Sequence, residues 1–175
     1  MSGLLLDLSF VVIDGVWDPA RVAEALPWEA TFLHEGDRRE ALFETLHGSD
    51  GERCNEVLFA IFSHGTKTLV ARPADRAVTG AADFECALSE GFGEAWMFQT
   101  SFGCGLVRHC RAGEIVGTVD SLEVSPASGV VGITAPIPDA SCEDIMAVHL
   151  PRLVGAPWAA IFPRRGARAS FWTLG

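Results

Sequence analysis

The chain has 175 residues, 49% hydrophobic and 21% charged. That is the length of one domain, and it is too apolar for a disordered polypeptide. Eighteen glycines and nine prolines without a repeat period exclude collagen-like and low-complexity sequence. Asp and Glu number 23 against 13 Lys and Arg, for a formal charge of −10; this opposes binding to a phosphate backbone and favours a basic protein partner.

The acidic surplus is lopsided. Residues 1–100 hold 17 acids and 7 bases, whereas residues 101–175 hold 6 of each. Beyond Pro163 the chain carries Arg164, Arg165 and Arg168 and no acid. No run of about 18 apolar residues occurs, so no membrane span is predicted. The start has no basic segment and Asp7 interrupts its apolar stretch, which does not read as a secretion signal. The five cysteines, Cys54, Cys86, Cys104, Cys110 and Cys142, are odd in number and contain no CxxC pair. Reduced thiols in a cytoplasm are the simpler reading.

Leu4–Ile13 reads as a strand buried on both faces. Asp14-Gly15 breaks it, and Asp18-Pro19 starts a helix that carries Val22, Ala23 and Leu26 on one face. A short strand is expected around Ala30–Leu33. Asp37-Arg-Arg-Glu40 is a capping box, opening a helix that Gly48 closes. Glu56–Phe62 and Thr66–Ala71 read as strands of a hairpin around Ser63-His64-Gly65. Asp83–Ser89 reads as a short helix. Ala95–Thr100, Gly105–Cys110 and Glu114–Val119 form a β-meander, with Ala112-Gly113 at its second turn. Ser141 caps a last helix that Pro151 ends or kinks. Trp158–Phe162 and Ala169–Thr173 are expected to form a terminal strand pair, turned by Arg164-Arg165-Gly166. Helices and strands are partly segregated, so the expected fold is a single α+β domain, mainly an antiparallel sheet with three to four helices.

A resemblance runs from the meander to Asp139. Residues 95–139 contain Arg111-Ala-Gly-Glu-Ile-Val116, Leu122-Glu-Val-Ser-Pro-Ala-Ser-Gly-Val130, Gly132 and Pro136-Ile-Pro138. This stretch resembles an uncharacterised bacterial domain family of actinobacterial type, with an Asp-Gly-Arg-Leu turn, a Leu-Ser-Pro-x-Ser-Gly-Val segment and a Gly-x-Pro-x-Pro ending. The chain departs from that pattern at Gly103, Cys104 and Gly105, where the family has aromatic residues. The resemblance implies the order of the elements and no activity.

Signatures of chemistry are sparse. The histidines are His34, His47, His64, His109 and His149; none pairs at i+4, and no cysteine pair has zinc spacing. No metal site and no cofactor are expected. There is no Gly-x-Ser-x-Gly elbow, no Walker A run and no Gly-x-Gly-x-x-Gly opening a helix. Ser63-His64-Gly65 has the look of a catalytic turn, but it is also ordinary turn composition. Cys104 or Cys110 with His64 or His109 would make a thiol–imidazole pair, although a strand cysteine commonly serves as a small buried hydrophobe.

Five tryptophans stand in a chain without tyrosine. Trp17 and Trp28 flank the first helix beside Asp14, Asp18, Glu24 and Glu29. An aromatic in an acidic loop suits a hot spot against a basic groove, while the plainer role is covering the core edge. Trp96 and Trp158 are assigned to the core.

The leading expectation is a non-enzymatic acidic binding domain of the bacterial cytoplasm, an immunity or inhibitor protein that neutralises a basic toxin or effector. Its partner face would comprise Asp14, Trp17, Asp18, Glu24, Trp28 and Glu29. The alternative is a small hydrolase-like enzyme with His64 or His109 as general base and Asp120 or Glu123 as its partner. A third reading is a structural subunit that self-associates through the C-terminal β pair and the arginine tail. A monomer or homodimer, without nucleic acid or membrane, is expected.

Overall fold

The structure is a computed structural model that describes residues 7–39, 57–73, 84–101, 104–120, 149–163 and 166–174. β1 (Asp7–Asp14) is its central element. Phe10, Val11, Val12 and Ile13 are all fully buried, as a continuous apolar run requires when both sheet faces are covered. Around it lie β2 (Ala30–Asp37), β3 (Val57–His64), β4 (Lys67–Pro73), β5 (Glu94–Ser101), β6 (Cys104–Arg111), β7 (Glu114–Asp120) and β8 (Arg168–Leu174). They form one eight-stranded sheet in the order β2-β8-β3-β4-β1-β5-β6-β7. Every pairing is antiparallel. The predicted α+β class and mainly antiparallel sheet are thus observed.

Successive residues of β1 point to opposite faces, and each face has its own core. Phe10 and Val12 join Phe62, Leu69, Trp96, Phe98, Val107 and Phe171 on one side. Two short helices cover that side, α3 (Leu150–Val154) and α4 (Trp158–Ile161), through Leu150, Val154 and Ile161. Val11 and Ile13 join Phe59, Ile61, Val70, Met97 and Trp172 on the other. There α1 (Pro19–Glu24) contributes Val22 and Ala23, and α2 (Phe84–Phe92) contributes Phe84 and Leu88. The result is a helix–sheet–helix sandwich.

Local chemistry explains the element ends. Asp18 accepts from the Ala20 amide at 2.8 Å and Pro19 opens α1, as predicted. Asp37 Oδ1 accepts from the Arg39 amide at 2.9 Å, the contact expected of a cap, but β2 runs through to Asp37. Gly15 has φ +96°, and a Cβ there would lie 2.7 Å from Trp17 Nε1, so only glycine fits that turn.

Several expectations need correction. Trp158–Phe162 is not a strand: Trp158–Ile161 is helical, with Trp158 and Phe162 packed against Phe10. The alternation that suggested a strand is too short to separate one helical turn from an extended segment. β8 instead pairs with both β2 and β3. No C-terminal β pair exists among the described residues, and β8 has no free edge to offer a second copy. Pro151 follows Leu150 in α3, and His149 before it already has helical φ and ψ of −76° and −43°; the residues that precede His149 lie outside the described ones. Arg38 and Arg39 are helical, as expected after Asp37; the remainder of that helix, the start of the helix expected after Ser141, the Arg164-Arg165 turn, Glu123 and the motifs at 122–138 lie outside the described residues.

Among the described residues, β2 and β7 are the outer strands of the sheet. Phe32, Leu33, Ile115 and Val116 are exposed on them. Register breaks between Phe32 and His34, and across His109/Cys110, interrupt both edges, as bulges commonly do where a strand must not template another.

Ala112 and Gly113 turn β6 into β7 with φ of +49° and +85°, a two-residue turn with both central residues left-handed. Alanine pays roughly 1–2 kcal/mol for that conformation. Ala112→Asn is therefore expected to raise stability by about 1 kcal/mol, read as a higher urea midpoint with an unchanged slope. An unchanged or lower midpoint contradicts the turn assignment.

Candidate functional site

The predicted partner residues gather where β1 leaves the sheet and α1 crosses it. Two of them are engaged locally. The Asp14 carboxylate pairs with Lys67, whose ammonium also lies 5.5 Å from the Trp96 ring centre. Asp18 caps α1. Trp17 donates from Nε1 to the Asp14 carbonyl at 2.5 Å, and its amide donates to Thr68 Oγ1 at 3.0 Å. Its ring packs on Phe92 at 4.9 Å, under the Arg21 guanidinium at 4.7 Å. Trp28 stacks on Phe84 at 6.0 Å. Both tryptophans are half-buried and fasten the ends of α1 to α2. The core-edge role describes them, and each also leaves part of its ring at the surface.

What remains exposed on this layer is acidic. Asp18, Glu24 and Glu29 are exposed, as is Glu90 on α2. The two helices lie side by side, so close that a Cβ at Gly91 would sit 3.3 Å from that of Ala25. Among the described residues no ion pair neutralises Glu24, Glu29 or Glu90. The neighbouring cations are engaged: Arg21 lies over Trp17, and Arg111 holds Glu94 at 2.6 Å. The opposite layer differs in sign. Residues 149–163 carry Arg152, which is exposed, and no carboxylate side chain.

Sequence reasoning singled out the acids of α1 but missed Glu90. It sits in no motif, and only the packing of α2 beside α1 brings it to the same layer.

The two candidate bases lie on the other sheet face. Phe62, Leu69, Val12, Trp96 and His109 form one cross-strand row; beyond it His64 and Asp14 both pair with Lys67, and Glu94 pairs with Arg111. His64 lies 3.5 Å from Arg38 Nη1. The Arg38 guanidinium is buried, donates to the carbonyls of Ile161 and Ser63 at 2.9 Å each, and covers the Phe62 ring at 4.5 Å. Burial pulls the Arg38 guanidinium below its ordinary value, against the opposing charge of Asp37. Burial, and then the Arg38 charge, likewise hold His64 below the ordinary imidazole value. His109 is 1% exposed, stacks on Trp96 at 5.0 Å, and has Nε2 3.8 Å from Glu94 Oε1.

These groups do not converge. Three strands separate β3 from β6, so His64 and His109 are about 19 Å apart at ~4.8 Å per strand. Asp120 stands opposite Leu106, three residues along β7 from the Gly117–His109 rung, and four strands lie between it and His64. The pairing of His64 with Asp120 is not formed. Among the described residues, no group of three His, Cys, Asp or Glu side chains could hold a metal ion.

A charged cluster that the sequence did not announce sits under α2. Glu85 is 0% exposed and accepts from Arg108 Nη1 at 2.6 Å. Arg72 is buried beside them, with Nη2 3.3 Å from Met97 Sδ and its guanidinium 5.4 Å from the Phe84 ring centre. Burial lowers the Arg72 pKa, Glu85 opposes that shift and Arg108 adds to it. A buried carboxylate paired with a guanidinium is a costly thing to bury unless it fixes one arrangement. Here it ties α2 to β6, and so places Glu90.

His64 supplies a pH test. Its folded-state value lies below its unfolded value near 6.5, so between the two the unfolded chain binds the extra proton. That stability is complete above the unfolded value and is lost as pH falls through the folded one. Unfolding free energy is expected to fall between about pH 7.5 and about pH 5.5, and the fall is expected to be shallower for His64→Gln. Equal slopes in urea titrations of the two proteins would remove His64 from this role. Comparison of the chain with protein-family models, with curated proteins and with solved structures yields no match.

Proposed function

We propose that this chain is a non-enzymatic protein-binding domain of the bacterial cytoplasm, which neutralises a cation-rich partner in the manner of an immunity or inhibitor protein. The observation that carries this reading is the sidedness of charge. Asp18, Glu24, Glu29 and Glu90 are exposed on the α1–α2 layer, while residues 149–163, which supply α3 and α4, bear Arg152 and no carboxylate. A one-signed face steers a basic surface toward it and disfavours partners of like sign. The half-buried Trp17 and Trp28 rings at the two ends of α1 supply apolar contact inside that field.

The hydrolase reading draws less from the site. His109 is closed off by Trp96 and its neighbours, His64 faces a guanidinium rather than a carboxylate, and the two are strands apart.

The test is affinity capture from the native host with the wild-type chain and with Glu24→Lys/Glu29→Lys/Glu90→Lys, followed by calorimetry on the captured protein. The expected result is a stoichiometric, cation-rich partner. Its Kd should weaken more than about tenfold between about 50 mM and about 500 mM salt, and the variant, with an unchanged circular dichroism spectrum, should not retain it. A salt-independent Kd, or equal retention by the charge-reversed chain, contradicts the proposal.

A further inference from the structure

We propose that Cys86 and Cys110 are a disulfide-forming pair, a modification site that joins α2 to β6 when the chain meets a thiol–disulfide oxidant such as glutathione disulfide. The proposal does not rest on the partner-binding reading. Both cysteines are free thiols, with their sulfurs 3.1 Å apart. That is closer than two unbonded sulfurs normally rest, and about 1 Å beyond the length of a disulfide, roughly 2.05 Å. They come from elements 24 positions apart in sequence, on a helix and on a strand.

The approach is built into the packing. Ser89 Oγ donates to the Cys86 carbonyl at 2.8 Å and accepts from the Gly113 amide at 2.9 Å. Glu85 is held by Arg108 at 2.6 Å. These contacts bracket the pair from both sides, so the helix register that aims Cys86 at Cys110 is fixed independently of the sulfurs.

The two thiols differ in a way that orders the chemistry. Cys86 is 9% exposed and Cys110 is 0% exposed, so Cys86 is the one an oxidant can reach during a local opening of α2. The Cys86 thiolate attacks one sulfur of glutathione disulfide, forms a Cys86–glutathione mixed disulfide and releases one glutathione thiolate. Cys110 then gives up its proton and attacks Cys86 Sγ, breaking the mixed disulfide and releasing the second glutathione. Two protein thiols lose two electrons and two protons, and one glutathione disulfide becomes two glutathiones. Burial, with the neighbouring Cys86 and Glu85 adding to it, pushes the Cys110 thiol far up. The attacking thiolate is therefore scarce and the second step slow, which keeps the pair reduced in a reducing compartment.

The experiment incubates the full chain in glutathione buffers of increasing oxidant content, blocks free thiols with iodoacetamide in denaturant, and maps the digested peptides by mass spectrometry. The expected product is a Cys86–Cys110 linked peptide pair, lacking two hydrogens relative to the reduced peptides. A higher Tm for the oxidised chain should accompany it, because the link constrains the unfolded state. Cys86→Ser and, separately, Cys110→Ala should each lose both the linked pair and the Tm rise. The proposal is overturned if Cys86 and Cys110 stay alkylatable in the wild-type chain while its other cysteines oxidise. It is equally overturned if Cys86 is found linked to a different cysteine.

Discussion

The burial of both faces of β1 is the constraint on which everything else in this molecule depends. Phe10 and Val12 cannot be shielded by the same layer as Val11 and Ile13, because their side chains leave the strand in opposite directions. Each face therefore needs its own helices. Once α1 and α2 cover one side and α3 and α4 the other, the molecule has two chemically distinct exteriors. The short helices are too small to be stable alone; they hold through Val22, Leu88, Leu150 and Ile161, set into the two cores. Polar anchors then fix their placement: Asp18 at the start of α1, Glu85 with Arg108 under α2, and Arg38 on the Ile161 carbonyl at the end of α4.

The polarity of the surface arises from that division. The stretch that supplies α1, with its flanking turns, is rich in carboxylates, and the described residues 149–163, which supply α3 and α4, have none. A charge imbalance along the chain becomes an imbalance between two faces, because the topology sends those stretches to opposite sides of one sheet. The acids that lie near cations, Asp14, Glu85 and Glu94, are consumed in holding the fold. Asp18, Glu24, Glu29 and Glu90 of the α1–α2 layer stay exposed.

Much of the fold was legible in the sequence, and the reasons are local. The unbroken run Phe10–Ile13 marks a doubly buried strand, Asp18-Pro19 a helix start, and Ala112-Gly113 a hairpin turn. Each depends on residues a few positions apart. The misses share a different cause. A four-residue helix at Trp158–Ile161 has no periodicity to read, and only the packing of Trp158 and Phe162 on Phe10 selects it. The partners of β8 lie more than a hundred positions away in the chain, so no local pattern could name them. The candidate face was partly legible for the same reason: Asp18, Glu24 and Glu29 are close in sequence, whereas Glu90 joins them only through tertiary packing. Nothing about Glu85 in Phe84-Glu-Cys-Ala-Leu distinguishes it from a solvated helix acid until Arg108 on a distant strand is placed beneath it.

The central claim is that the acidic α1–α2 layer is the working surface. Amide hydrogen exchange of the chain, free and bound to its captured partner, tests it most directly. Slowed exchange concentrated in α1, α2 and the Ala112–Glu114 turn is the predicted footprint. Protection centred on α3, α4 or the β2 edge, with α1 and α2 unchanged, would contradict it.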